Sequence, residues 1–321
     1  MVADPALHRR ALGMLLLANL YWGLSFPLVK SIALVHAQLV PASSTWFIAA
    51  YTIAPRFLLA TLVLGLVLRK KIASITRLEI EQGWWLGLLA GGGMLLQNDG
   101  LQFTSVSVSS FLTQLYAIMI PFYFALQVRR WPAPLVLGCA ALVFVGVAVL
   151  GRFDFREMQI GRGEFETLLC SGFFMAQILL LERKRYSANR ALPITLVMFV
   201  VEAGVFSIVS GVTAPQLSDL LTPWTNGPWL VFTGLLTVFC TLGSFILMNT
   251  WQPKITATEA GLIYCFEPIF ASIMALFLPA IFAAWAGFTY ANEQLTWHLL
   301  LGGGLITLAN VLLQLNPPAK A

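Results

Sequence analysis

The chain has 321 residues, 59% of them hydrophobic and only 10% charged, where a soluble domain carries about 25% charged residues. The apolar residues fall in blocks close to the roughly 20-residue length that crosses a bilayer as a helix, which excludes an ordinary soluble domain. The net charge of +5 is scattered through short loops, so it leaves no basic patch of the kind that binds nucleic acid.

The first predicted element covers 11–35. It follows His8, Arg9 and Arg10, a basic start shared with signal peptides. No small-x-small cleavage site closes it, and the apolar run continues through Trp22, Phe26 and Leu28, so it reads as a retained first transmembrane helix. Nine further apolar segments follow, at 49–68, 84–101, 105–127, 133–151, 164–182, 192–212, 227–250, 257–279 and 297–315. The expected fold is therefore an all-α membrane protein of ten transmembrane helices. Cys139, Cys170, Cys240 and Cys265 all lie in these segments without CxxC or Cys/His spacing, so they read as small buried hydrophobes, and no metal or cofactor is expected.

Lys and Arg counts give the orientation. With the N-terminus in the cytoplasm, 14 basic residues fall inside and three, Arg152, Arg156 and Arg162, fall outside, while Lys30 and Arg56 stay within segments. Both termini are then cytoplasmic. The chain has no Asn-x-Ser/Thr acceptor, in keeping with a bacterial inner membrane.

Three matches in order along the chain suggest an internal repeat. "LYWGLSFPLVK" (20–30) lies over "FFMAQILLLER" (173–183), "FTSVSVSSFL" (103–112) over "ITATEAGLIY" (255–264), and "LGCAALVFVGVAVL" (137–150) over "LGGGLITLANVLLQ" (301–314). This divides the chain into two halves, 1–151 and 164–321, joined by 152–163. Five helices per half is an odd number, so the halves enter the membrane from opposite sides. That makes two inverted five-helix repeats, the usual construction of a secondary transporter.

Four features together resemble the drug/metabolite transporter superfamily, in its EamA-type ten-helix branch. They are Trp22-Gly23 with Lys30, "GLQFTSVSVSSFLTQLYAIMIP" (100–121), "ITATEAGLIYCFEPIFA" (255–271), and Glu293 before the last glycine-rich helix. The resemblance covers nearly the whole chain. It implies a secondary active transporter that moves a small metabolite or drug-like solute across the cell membrane by alternating access. Helices 1, 3, 4, 6, 8 and 9 would line the central cavity. Proton coupling, exchange for a counter-solute and export all stay open, as do substrate and oligomeric state. Two departures stand out: "LPAIFAAWAGFTYA" (278–291) is inserted after the ninth helix, and "VRRW" (128–131) replaces an acidic position before the fifth.

The polar residues inside segments are the candidate site. Glu267 precedes Pro268 in "YCFEPIF". A carboxylate at bilayer depth costs at least ~2.5 kcal/mol, so it faces protein or water. It reads either as a proton- or cation-responsive group in a cavity or as a structural carboxylate that fixes helix packing. Pro268 and its counterpart Pro121 are expected to kink their helices. Ser107, Ser110 and Gln114 share a helix face, which reads as a cavity wall with Tyr116 or as a small-residue packing surface. The first choices for substrate binding or coupling are Glu267, Gln114, Tyr116 and Trp22, then Tyr264, Asn249, Gln177 and Asn19.

Gln97, Asn98 and Asp99 read as an outer mouth or as a helix end in water, with Asp99 assigned to water. Arg56 and Glu202 read as structural charges, paired with each other or each with its own partner. Lys30 is expected to snorkel to the outer surface. The glycine clusters 91–93 and 302–304 lack a phosphate-loop ending and read as close helix packing. The rival function is an integral membrane enzyme acting on a lipid or isoprenoid. Such an enzyme groups its acid, base or metal ligands, whereas His8, His36 and His298 are far apart in the sequence.

Overall fold

The computed structural model describes residues 5–127, 129, 131–150, 161–181, 183–255, 260 and 263–315. Most of the connecting segment 152–163, together with Arg130, Thr256 and Lys320, lies outside the described residues. Among those described, every regular element is helical and none is a strand. In chain order the α-helices are α1 (Pro5–Leu39), α2 (Thr45–Leu68), α3 (Arg77–Gly100), α4 (Val106–Thr113), α5 (Tyr116–Gln127), α6 (Pro134–Leu150) and α7 (Arg162–Leu181). They continue with α8 (Ala191–Thr213), α9 (Gly227–Leu235), α10 (Ser244–Trp251), α11 (Glu267–Ala275), α12 (Leu278–Ala286) and α13 (Trp297–Leu315).

Among the described residues, six helical stretches are long and apolar enough to cross a membrane: Ala6–Leu39, Thr45–Leu68, Val106–Gln127, Arg162–Leu181, Ala191–Thr213 and Gly227–Lys254. The α11–α12 pair, bent by 51°, makes a seventh if it counts as one span, and α6 and α13 are shorter apolar helices. Helix α3 starts seven residues earlier than the predicted 84. Thr76 and Glu79 form a reciprocal capping box there, a local signal that satisfies two backbone donors ahead of the apolar run.

Three of the long apolar stretches are not regular helices. The first breaks between α4 and α5, at Gln114 and Leu115. The Ser110 hydroxyl donates to the Ser107 carbonyl and that of Thr113 to the Ser109 carbonyl, bonds that bend helices from within. Pro121 then removes a backbone donor one turn into α5. The second break precedes α11. Pro268 does not kink a continuous helix: it sits in the first turn of a new one, where its missing N–H costs nothing. The third irregularity joins α9 to α10, where Leu236–Gly243 winds as a π-helix. There the Thr241 hydroxyl reaches back five residues to the Leu236 carbonyl.

Helix α2 packs on α8, α3 on α7 and α8, α1 on α10 and α11, α4 on α7 and α11, and α6 on α13. Glycine sets these approaches. A Cβ at Gly91, Gly92 or Gly93 would fall 2.6–2.7 Å from Phe206, Phe173 or Phe174, and one at Gly302 would fall 2.7 Å from the Gly146 carbonyl. The packing reading of both glycine clusters therefore holds, except that Gly304 meets nothing within 4 Å. The inserted segment forms α12, which ends on Gly287 in the left-handed region at φ 75°, a conformation glycine adopts without strain. Beyond it the Glu293 carboxylate accepts from the Val106 and Ser107 backbone N–H groups, at 2.6 and 3.3 Å, and so caps α4 from 187 residues away.

Candidate functional site

The two helix breaks meet. Gln114 closes α4 and Glu267 opens α11, and the Gln114 amide donates to the Glu267 carboxylate at 3.3 Å. Both side chains are almost wholly buried. The start of α11 suits the carboxylate, since the unpaired N–H groups of a first turn favour negative charge.

Beside this contact lies a cavity of about 90 Å³. One water needs on the order of 10–15 Å³ of such volume, so the space holds several waters or part of a small solute. Its polar wall includes Glu267, Arg56, Gln97, Asn98, Thr113 and Gln177. Its apolar wall includes Trp22, Tyr116, Phe174, Phe245, Met248 and Tyr264. Trp22 stands edge-on to both Phe245 and Tyr264, with ring centroids 5.8 and 5.9 Å apart. The Tyr264 hydroxyl donates to Gln252 at 2.6 Å, and the Gln97 amide to Thr113 at 2.9 Å. The rings are in contact with one another and together present an apolar face to the cavity, while the amides, carboxylate and guanidinium offer polar contacts.

Of the eight first-choice residues, Glu267, Tyr116, Trp22, Tyr264 and Gln177 line this cavity, and Gln114 holds Glu267 from the side. Asn249 and Asn19 stand elsewhere. The Asn249 amide donates to the Thr195 hydroxyl on α8, and that of Asn19 to the Leu15 carbonyl within α1. Ser107 and Ser110 are buried in helix packing and do not line the cavity.

One reading of a charged residue, that of Asp99, needs correction. Asp99 is not a helix end in water: it is fully buried and accepts from Arg162 at 2.5 Å. Arg162 also binds Glu166 at 2.8 Å and lies over the Phe103 ring, so a three-residue network ties the end of α3 to the start of α7. Lys30 is half-buried and donates to the Thr104 carbonyl in the turn before α4. Arg56 lines the cavity. Its guanidinium is directed at the Met94 sulfur and lies over the Phe57 ring. Glu202 lies near enough to act on it electrostatically, but neither of its carboxylate oxygens has a hydrogen-bond partner among the described residues.

No family model matches the chain. A protein of Archaeoglobus fulgidus, described as an uncharacterized transporter, is 25% identical over 306 residues, or 95% of this chain and 85% of that protein. A crystal structure, described only as that of a protein, matches with a TM-score of 0.56 at 14% identity, over 93% of this chain and 96% of its own. That second likeness concerns the fold alone.

Proposed function

We propose that the chain is a secondary active transporter that moves a small metabolite or drug-like solute across the cell membrane by alternating access. The observation that carries this reading is the meeting of two broken helices, through Gln114 and Glu267, at a buried cavity with aromatic and polar walls. Broken helices at membrane depth are tolerated where they line a cavity, and they mark substrate sites in transporters. The Archaeoglobus fulgidus relative supports a transport role in general.

The helix pairing supports two inverted five-helix halves. Let α1, α2, α3, the α4–α5 pair and α6 exchange with α7, α8, the α9–α10 pair, α11 and α13. The α3–α7 pair then maps onto α10–α1, and α1–α11 maps onto α7–α4, while α2–α8 and α6–α13 map onto themselves; all of these pairs pack together. Counting α4–α5, α9–α10 and the bent α11–α12 pair as one span each, this arrangement has ten spans. Rocking one half against the other would expose the cavity to each side in turn, with both termini in the cytoplasm.

The test is paired metabolite profiling of cells and medium in a deletion strain, the wild type and an overproducer, with and without a protonophore. A compound that shifts between cell and medium at constant total establishes transport and names the substrate. A compound whose total changes as a new product appears would refute it in favour of an enzyme. Glu267 is the group assigned to coupling. Glu267→Gln is expected to flatten the pH dependence of transport, and unchanged rates and pH dependence would remove it from that role.

A further inference from the structure

Arg56 is a cation inside a membrane helix with no anion in contact among the described residues. It is 4% exposed, its Nε has no hydrogen-bond partner there, and its guanidinium is directed at a neutral thioether, Met94. No carboxylate among the described residues stands within ion-pair distance of it, and Glu202 acts on it without touching it. A guanidinium offers five N–H donors in a planar fork, and leaving such donors buried and unfilled is expensive. The cavity wall it occupies is otherwise aromatic and apolar on the Trp22, Phe245 and Met248 side.

We propose that Arg56 is the anion receptor of the cavity, and that the solute it takes is a small carboxylate with a flat apolar body. The proposal rests on the transport reading for its biological setting, but the binding it describes does not require transport. The carboxylate meets the guanidinium fork in a two-point contact. The apolar body lies against the face that Trp22, Phe245 and Tyr264, packed on one another, present to the cavity. Glu202 acts on Arg56 without touching it, so it leaves the fork open.

The experiment measures the thermal midpoint of the purified full chain in detergent micelles against concentration of acetate, phenylacetate and indole-3-acetate. The neutral isostere 2-phenylethanol and the cation 2-phenylethylamine serve as comparisons. Phenylacetate or indole-3-acetate is expected to stabilise saturably, with half-saturation at least about tenfold below that of 2-phenylethanol, the difference a charge-assisted hydrogen bond supplies. Arg56→Lys, which keeps the charge and loses the fork, is expected to raise that half-saturation by about tenfold. The proposal falls if none of the three carboxylates stabilises, if the alcohol or amine matches the acid, or if a folded Arg56→Lys protein binds as the wild type does. The wild-type comparison of acid with alcohol decides the matter even if the variant does not fold. Failure here leaves the transport reading to the profiling experiment, whose outcome does not depend on a carboxylate.

Discussion

Gly23 sits where α1 crosses α11, next to Trp22 on the cavity wall. A Cβ added there would lie 2.7 Å from the Phe270 Cβ and 3.0 Å from the Ala271 backbone nitrogen. Carbon atoms at rest stand about 3.5 Å or more apart, so Gly23→Ala forces the two helices to part by roughly 0.8 Å. Backbone and a first side-chain carbon supply the clash, so no rotamer change relieves it. Overpacking of this kind costs about 1–3 kcal/mol, roughly a five- to hundredfold drop in the folded-to-unfolded ratio. Gly204 on α8 is the control. It is exposed and a Cβ there meets nothing within 4 Å, so Gly204→Ala is expected to be neutral or to stabilise by up to about 1 kcal/mol through helix propensity. Both variants would be unfolded in mixed detergent micelles of increasing denaturing fraction and followed by circular dichroism. If Gly23→Ala is as stable as Gly204→Ala, the α1–α11 crossing is not set by glycine, and the placement of Trp22 against Tyr264 loses its support.

Two buried carboxylates give further expected outcomes. Glu79→Ala removes the half of the α3 capping box that Glu79 supplies, the bond it accepts from the Thr76 N–H, together with the two-point contact to Arg190, while the Thr76 hydroxyl still accepts from the backbone N–H of residue 79; a bond to a charged acceptor is worth about 1.5–3 kcal/mol at most, and since the Arg190 side chain is 46% exposed its pair adds little. The same unfolding assay is expected to show a loss of about 1–2 kcal/mol, and no loss would mean the Glu79 carboxylate does not tie down the start of α3. Glu202→Gln keeps the shape of the side chain but removes the acid that acts on Arg56 without touching it. It is expected to tighten phenylacetate binding, by roughly fivefold if the coupling is of ordinary size, and weaker binding would refute the role given to Glu202.

Much of the membrane architecture is legible in the sequence because bilayer-length apolar blocks and glycine clusters are local patterns. Glu267 and Gln114 are found for a related reason: a lone polar group in an apolar run stands out, although nothing in their spacing of 153 residues says that they touch. Arg56 stands out equally, but the sequence does not show that it lines the cavity. Residues 47–57 of α2 are all buried, so the run has no polar face to show which side meets the cavity. Asp99 is misread because its partner Arg162 lies 63 residues away, in what looks like an outer loop. The π-helix at Leu236–Gly243 carries no composition signal at all; its residues are ordinary for a membrane helix.

That wide turn sets the phase of α10. Each residue of an α-helix advances the side chains by about 100°, so the number of residues before Ser244 determines which way Phe245 and Met248 face. Removing a single residue from 236–243 would let the segment rewind with ordinary i to i−4 bonds. Because a wide turn fits an extra residue into nearly the same rotation, α10 would keep Phe245 and Met248 close to their present phase. The flanking α-helical turns have no such slack: one residue lost there would swing α10 by about 100° and carry both side chains off the cavity. The wide turn thus acts as a register buffer between α9, which packs on α1, and α10, which lines the cavity.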